Sequence, residues 1–162
     1  MNEHFSIRPA LPADIPVIFN LIQQLAEYEK LSDMVSGTEA MLANALFGAS
    51  RSAECLVARE QDIPIGFALY FTTFSTFLCR PGLYLEDLFV IPAARGKGYG
   101  KALLKYLAKL ALDRDCGRME WRVLDWNEPS IRFYRSLGAC IMPEWQLVRM
   151  TAAEMAALAN NF

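Results

Sequence analysis

Two neighbouring carboxylates, Glu86 and Asp87, interrupt an otherwise apolar run from Tyr84 to Ile91. A pair of acids inside a buried strand needs a reason, and holding or accepting a proton is one. Immediately downstream, Arg95-Gly96-Lys97-Gly98-Tyr99-Gly100 forms a glycine-rich turn leading to a helical stripe from Ala102 to Leu112. Such a turn brings bare peptide N–H groups and the positive end of a helix dipole to one place, with Arg95, Lys97 and Lys101 adding charge. A pyrophosphate is the ligand this chemistry suits first. A plain tight turn with Lys101, Lys105 and Lys109 on a solvated face is the alternative. The Gly-Lys-Ser/Thr ending of a nucleotide P-loop and the glycine spacing of a dinucleotide fold are both missing. His4 is the single histidine, so a histidine-based catalytic scheme lacks its central residue.

The elements that must carry these groups follow from the pattern around them. Tyr84 to Ile91 reads as a central strand, closed by Pro92. Before it, Phe5 to Arg8 is a short strand, and Asp14 is placed to cap a helix with Ile15, Ile18, Leu21, Ile22 and Leu25 on one face and Glu27, Tyr28 and Glu29 at its end. Ser36 with Glu39 predicts a capping box for a second helix, Thr38 to Phe47. Glu54 to Arg59 and Ile65 to Thr72 are strands joined through Gln61-Asp62-Ile63-Pro64, and Thr73 to Gly82 is an aromatic connection. After the glycine turn come a strand from Met119 to Leu124, a helix capped by Asn127 and ended by Gly138, a last strand from Glu144 to Met150, and a helix capped by Thr151 that frays from Asn160.

Composition bounds the rest. A chain of 162 residues, 54% hydrophobic and 21% charged, suits a single domain spanning 1–162. A net charge of -2 without a basic patch argues against nucleic acid, and no apolar run has the length of a membrane span. The opening MNEHFSIRP lacks the pattern of a secretory leader, which predicts a cytoplasmic protein. Cys55, Cys79, Cys116 and Cys140 are widely spaced and form no C-x-x-C pair, so they are expected as core thiols, with no metal.

Three segments in fixed order, YLEDLFV, RGKGYG and WNEPSIRFY, resemble the GNAT superfamily of N-acetyltransferases, and in particular its spermidine/spermine (diamine) N-acetyltransferase branch. The likeness extends to the opening IRPA, the helix end LIQQLAEYE and the closing W-x-L-x-R-M, so it covers nearly the whole chain. It implies an α/β (α+β) fold with a mixed, mostly antiparallel sheet and helices on both faces, a homodimer, and acetyl-CoA as cofactor. By the same resemblance Leu88, Phe89 and Val90 meet the pantetheine arm, and Arg95, Gly96, Lys97, Gly98, Tyr99, Gly100 and Lys101 hold the pyrophosphate. Asn127, Glu128, Pro129 and Ser130 flank the thiol end. Tyr134 matches the general acid, and Tyr28, Glu29, Glu86, Asp87, Glu120, Trp121 and Arg122 match the amine pocket. An amide-rich arm added along a strand edge and a diphosphate on open amides are physically sensible partners for such a site.

The implied reaction is direct attack by a primary amine of a polyamine, diamine or lysine-like molecule on the thioester. An alkylammonium with a pKa of about 10.4 must first lose a proton, and a phenol with a pKa of about 10 can protonate a departing thiolate. Glu86 or Asp87 can take the amine's proton; alternation puts them on opposite faces unless a bulge intervenes, and the resemblance favours Glu86. Arg122 departs from the polyamine pattern. It either pairs with Glu120 or Asp125, or meets a carboxylate on a lysine-like substrate. Acetylation of a protein or peptide amine, and non-catalytic acyl-CoA binding, are the other functions compatible with these motifs.

Overall fold

A computed structural model describes residues 4–160, and the chain divides between Arg122 and Val123 into two compact units. The first holds β1 (Phe5–Pro9), α1 (Ile15–Tyr28), α2 (Glu39–Phe47), β2 (Glu54–Glu60), β3 (Ile63–Ser75), β4 (Arg80–Val90), α3 (Tyr99–Asp113) and β5 (Arg118–Trp121). The second holds α4 (Glu128–Ser136) and α5 (Ala152–Ala159). In the first unit the strands lie in sequence order, β1 to β4 antiparallel and β5 parallel to β4. This is the mixed, mostly antiparallel sheet that the motifs imply.

Side-chain alternation explains how the sheet is covered. Cys55, Val57, Phe67 and Phe89 join Ile15, Ile18, Leu21 and Leu25 of α1 and Leu46 of α2 in one core cluster. Their strand neighbours Leu56, Ala58 and Ala68 are fully buried on the opposite face, the side on which α3 buries Leu103 and Leu107. Helices therefore cover both faces of the sheet. Each fully buried aliphatic or aromatic side chain contributes about 1.5–3 kcal/mol, so β4 is held rigidly from both sides.

Several boundaries differ from the sequence reading. The predicted connection Thr73 to Gly82 is mostly strand, because β3 and β4 form a long hairpin paired out to Ser75 and Arg80, with Phe71 stacked on Tyr84 at 5.0 Å. The β2–β3 loop is a tighter turn, with Gln61 and Asp62 at φ 51° and 61°. That left-handed pair suits the twist of a two-residue hairpin, although asparagine and glycine are its usual occupants. Asp14 makes no cap bond to α1; it accepts from the Leu11 N–H at 2.7 Å and pairs with Arg8 at 2.6 Å. Thr38 takes the cap of α2 instead of Ser36. Of the four cysteines only Cys55 is buried; Cys79 and Cys140 are exposed and Cys116 is intermediate, so the expectation of core thiols fails for those three.

In the second unit Asn127 and Thr151 cap their helices as predicted. The strand expected over Glu144 to Met150 does not form, and Trp145, Leu147, Val148 and Met150 are exposed. Alternating apolar residues make a strand only where a ladder partner meets them. Of the fraying expected from Asn160 onward, Asn160 itself donates its N–H to the Ala156 carbonyl at 3.1 Å, and the rest lies outside the described residues.

Candidate active site

β4 organises the site. Its pairing with β3 runs the whole way to Gly66↔Val90, whereas its pairing with β5 covers only Gly82 to Leu85. From Glu86 onward β4 therefore continues beyond its last β5 partner. Gly66 allows this end of β4 to lie close, since a Cβ there would stand 2.5 Å from the Phe89 carbonyl oxygen. The register also slips: Leu69 faces Asp87 and Tyr70 faces Leu85, which leaves Glu86 as the extra residue of a β-bulge. The simple alternation that would send Glu86 and Asp87 to opposite faces is thus broken at this point.

The bulge gives the two acids different surroundings. Glu86 is exposed and Asp87 is half-buried. Burial, and then the charges of Glu86 and Glu29, push the Asp87 carboxyl up to about 6. Burial also raises Glu29 at the end of α1. Asp87 thus senses the charges of Glu86 and of Glu29 at the cap of α1, and both Asp87 and Glu29 hold protons more tightly than free acids do. A cationic amine is the complementary partner for such a cluster.

Beyond β4, a short 3₁₀ turn at Pro92–Ala94 leads to the glycine turn, and α3 begins at Tyr99, before the predicted Ala102. Gly98 caps α3 at φ 86° with no side-chain cap bond, and Gly96 stands at φ 80°. A Cβ added at either glycine would meet nothing within 4 Å, so the turn is open on its outer side. The first amides of a fifteen-residue helix are thereby left for a ligand, which is the chemistry a diphosphate requires.

The flanking cations do not simply point outward. Arg95 donates from Nε to the Val90 carbonyl at 3.0 Å, and its guanidinium lies 4.4 Å above the Tyr28 ring and 5.5 Å from that of Phe89. The structure thus brings Tyr28, expected at the amine pocket, against the turn expected to hold phosphate. Lys97 bonds the Glu60 carboxylate at 3.0 and 3.2 Å, while Lys101 is exposed on the first turn of α3. Phe89 contributes its ring to the core. Leu88 is half-buried, and Val90 is buried.

On β5, Glu120 pairs with Arg118 at 2.8 Å, and Trp121 is half-buried. Arg122 lies 5.6 Å over the Tyr84 ring, a different partner from the Glu120 or Asp125 that the sequence suggests. In the second unit Asn127 is buried and its Oδ1 accepts from the Ser130 N–H at 3.3 Å; Glu128 and Pro129 form the exposed first turn of α4. Tyr134 is also buried on α4, its ring 5.4 Å from that of Phe133. Glu60 ends β2 among polar residues and has no local sequence signature; its long-range partners mark it.

The chain is similar over most of its length to known proteins. Residues 21–139 match the acetyltransferase (GNAT) family. The chain is 38% identical to the thialysine N-epsilon-acetyltransferase of Bos taurus, over 96% of this chain and 97% of that one. It is 33% identical to the L-ornithine N5-acetyltransferase NATA1 of Arabidopsis thaliana, over 94% of this chain and 86% of the relative. Among solved structures, an integron cassette protein from the mobile metagenome of V. cholerae superposes with a TM-score of 0.81 at 29% identity, covering 98% of this chain and 99% of the other. With an open glycine turn at a helix that has no side-chain cap, a strand prolonged beyond its neighbour, and likeness to N-acetyltransferases over 96% of its length, the chain belongs to the acetyltransferase (GNAT) family.

Proposed function

We propose that this N-acetyltransferase acetylates the terminal primary amine of a small lysine-like amino acid or diamine, with acetyl-CoA as donor. The observation that carries the reading is β4: its last five residues, Glu86 to Val90, lie beyond its final β5 partner, bear both carboxylates, and run into the open glycine turn. One strand offers peptide groups to an amide-rich arm and negative charge to an ammonium. The open space at Gly96 and Gly98 fits a diphosphate, which the amides from Gly96 to Lys101, with the Lys97 and Lys101 ammoniums, would hold. When bound, acetyl-CoA supplies an acetyl group already activated as a thioester.

The chain's own residues supply the proton handling. Glu86, exposed at the bulge, takes the amine's proton through water. Asp87 and Glu29 keep the surroundings negative, and Tyr28, which carries the Arg95 guanidinium on one ring face, has its other face for the alkylammonium. Tyr134 Oη supplies the proton that the leaving sulfur takes up. Arg122 favours substrates with a carboxylate and repels polyamines. The relatives named for thialysine and ornithine, both amino acids with a terminal amine, support that preference.

Release of thiol from acetyl-CoA, measured against lysine analogues, ornithine, diamines and polyamines, tests the reading. Turnover is expected with the amino acids, at a kcat/KM about tenfold or more above that for spermidine, the size of one charged contact. Absence of thiol release with every amine would reject it. We also propose that the protein works as a homodimer in the cytoplasm. Light scattering should then give twice the 18.3 kDa of one chain, and a monomer mass would reject the dimer.

A further inference from the structure

We infer that Glu60 is the positioning residue of the anion turn: from the end of β2 it grips Lys97 and Tyr99, and so sets the peptide N–H groups between them for a diphosphate. The need for such a grip follows from the glycines. Gly96 and Gly98 stand at φ 80° and 86°, and no atom within 4 Å of an added Cβ packs against either. Glycine backbone has the widest conformational freedom of any residue, so the shape of this turn must be imposed from its ends. At the upstream end Arg95 Nε is tied to the Val90 carbonyl at 3.0 Å. At the downstream end the Glu60 carboxylate accepts from Lys97 Nζ at 3.0 and 3.2 Å, and also from the Tyr99 hydroxyl.

Glu60 is a rigid anchor for that purpose. Its backbone is paired with Phe5 on one side and Ile63 on the other, and its side chain is only 17% exposed. Tyr99 is 3% exposed and stacks on Phe5 with ring centroids 4.3 Å apart and planes 10° apart. The pair is thus unlike the Lys109–Asp113 bridge on α3, whose side chains are 76% and 57% exposed and which fixes nothing beyond its own helix. Charge completes the argument. A bare carboxylate beside an anion site would repel the ligand, but here two donors compensate it. Lys97 remains half exposed, and an ammonium has three N–H donors, so it can hold Glu60 and still face a phosphate.

The inference rests on the acetyl-CoA reading of the turn, yet the grip itself is measurable without ligand. In the unliganded protein, Glu60→Ala should speed amide hydrogen exchange between Gly96 and Lys101 by about fivefold or more, with β4 unchanged. In turnover, the loss should fall on KM for acetyl-CoA, raised roughly 5–20-fold, rather than on kcat or the KM for the amine. Glu60→Gln keeps an oxygen acceptor and should recover most of both effects. Glu60→Ala combined with Lys97→Ala should cost less than the sum of the two single changes, because they share one contact, although Tyr99 and the phosphate give each a further partner. Asp113→Ala should alter neither readout. Unchanged exchange or an unchanged KM for acetyl-CoA in Glu60→Ala overturns the inference. A wild-type protein that binds no coenzyme A while Glu60→Ala still loosens the turn would reject the cofactor assignment and leave the grip standing.

Discussion

Tyr134→Phe is expected to lower kcat for acetyl transfer by about 100-fold or more, while affinity for acetyl-CoA changes by less than about twofold. The substitution removes Oη alone. The ring keeps its buried place on α4 and its neighbour Phe133, and the melting temperature of the variant, measured alongside, separates any structural cost of losing Oη from loss of the acid. A positioned general acid contributes 10²–10⁴-fold, and its loss should matter most where the departing thiolate most needs a proton. The deficit should therefore narrow as pH rises past the ordinary thiol pKa of about 8.5, above which sulfur leaves unprotonated at less cost. Single-turnover rates across pH, beside a coenzyme A binding isotherm, make the measurement. A kcat equal to wild type would remove Tyr134 as the acid and leave it a packing role.

Asp87→Asn is expected to move activity and stability in opposite directions. Its carboxyl, held at about 6 by burial and then by Glu86 and Glu29, binds its proton more tightly folded than unfolded, where an aspartate titrates near 3.9. As pH rises from about 4 the unfolded chain ionises first, so stability falls through that interval and the loss is complete above the folded pKa. A shift of about two units corresponds to about 2–3 kcal/mol, which the neutral asparagine would return at pH 7.5, or roughly 5–10 °C in Tm. The melting temperatures of variant and wild type should converge as pH falls towards 4. Activity should respond the other way. Above pH 6 the ionised Asp87 attracts a cationic amine, so the variant should lose about tenfold in kcat/KM for the amine at pH 8. It should also lose the fall in kcat/KM that the wild type is expected to show below pH 6. An unchanged Tm at pH 7.5 with an unchanged acid limb would show that this carboxyl is not strained at all.

How much of this was legible beforehand depends on whether the cause is local. The helix α1, its buried stripe, the Asn127 and Thr151 caps and the glycine turn are set by neighbours within four residues, and the sequence alone located them. The same holds for the family and the carboxylate pair, because motif order and residue type survive without coordinates. Pairing is different. That β3 and β4 extend to Ser75 and Arg80, and that no strand forms over Glu144 to Met150, depends on whether a partner edge is present, and periodicity is blind to that. The bulge at Glu86 is a register event between two strands, so no reading of one strand could reveal it. The Arg95–Tyr28 and Lys97–Glu60 contacts join residues far apart in the chain, and only the tertiary structure decides which cation meets which neighbour. The sequence by itself determined which chemical groups are available and the local backbone that carries them. The packed sheet decided which acid is exposed, which is strained, and which residues hold the glycine turn, because those outcomes depend on burial and charge summed over segments that meet only when folded.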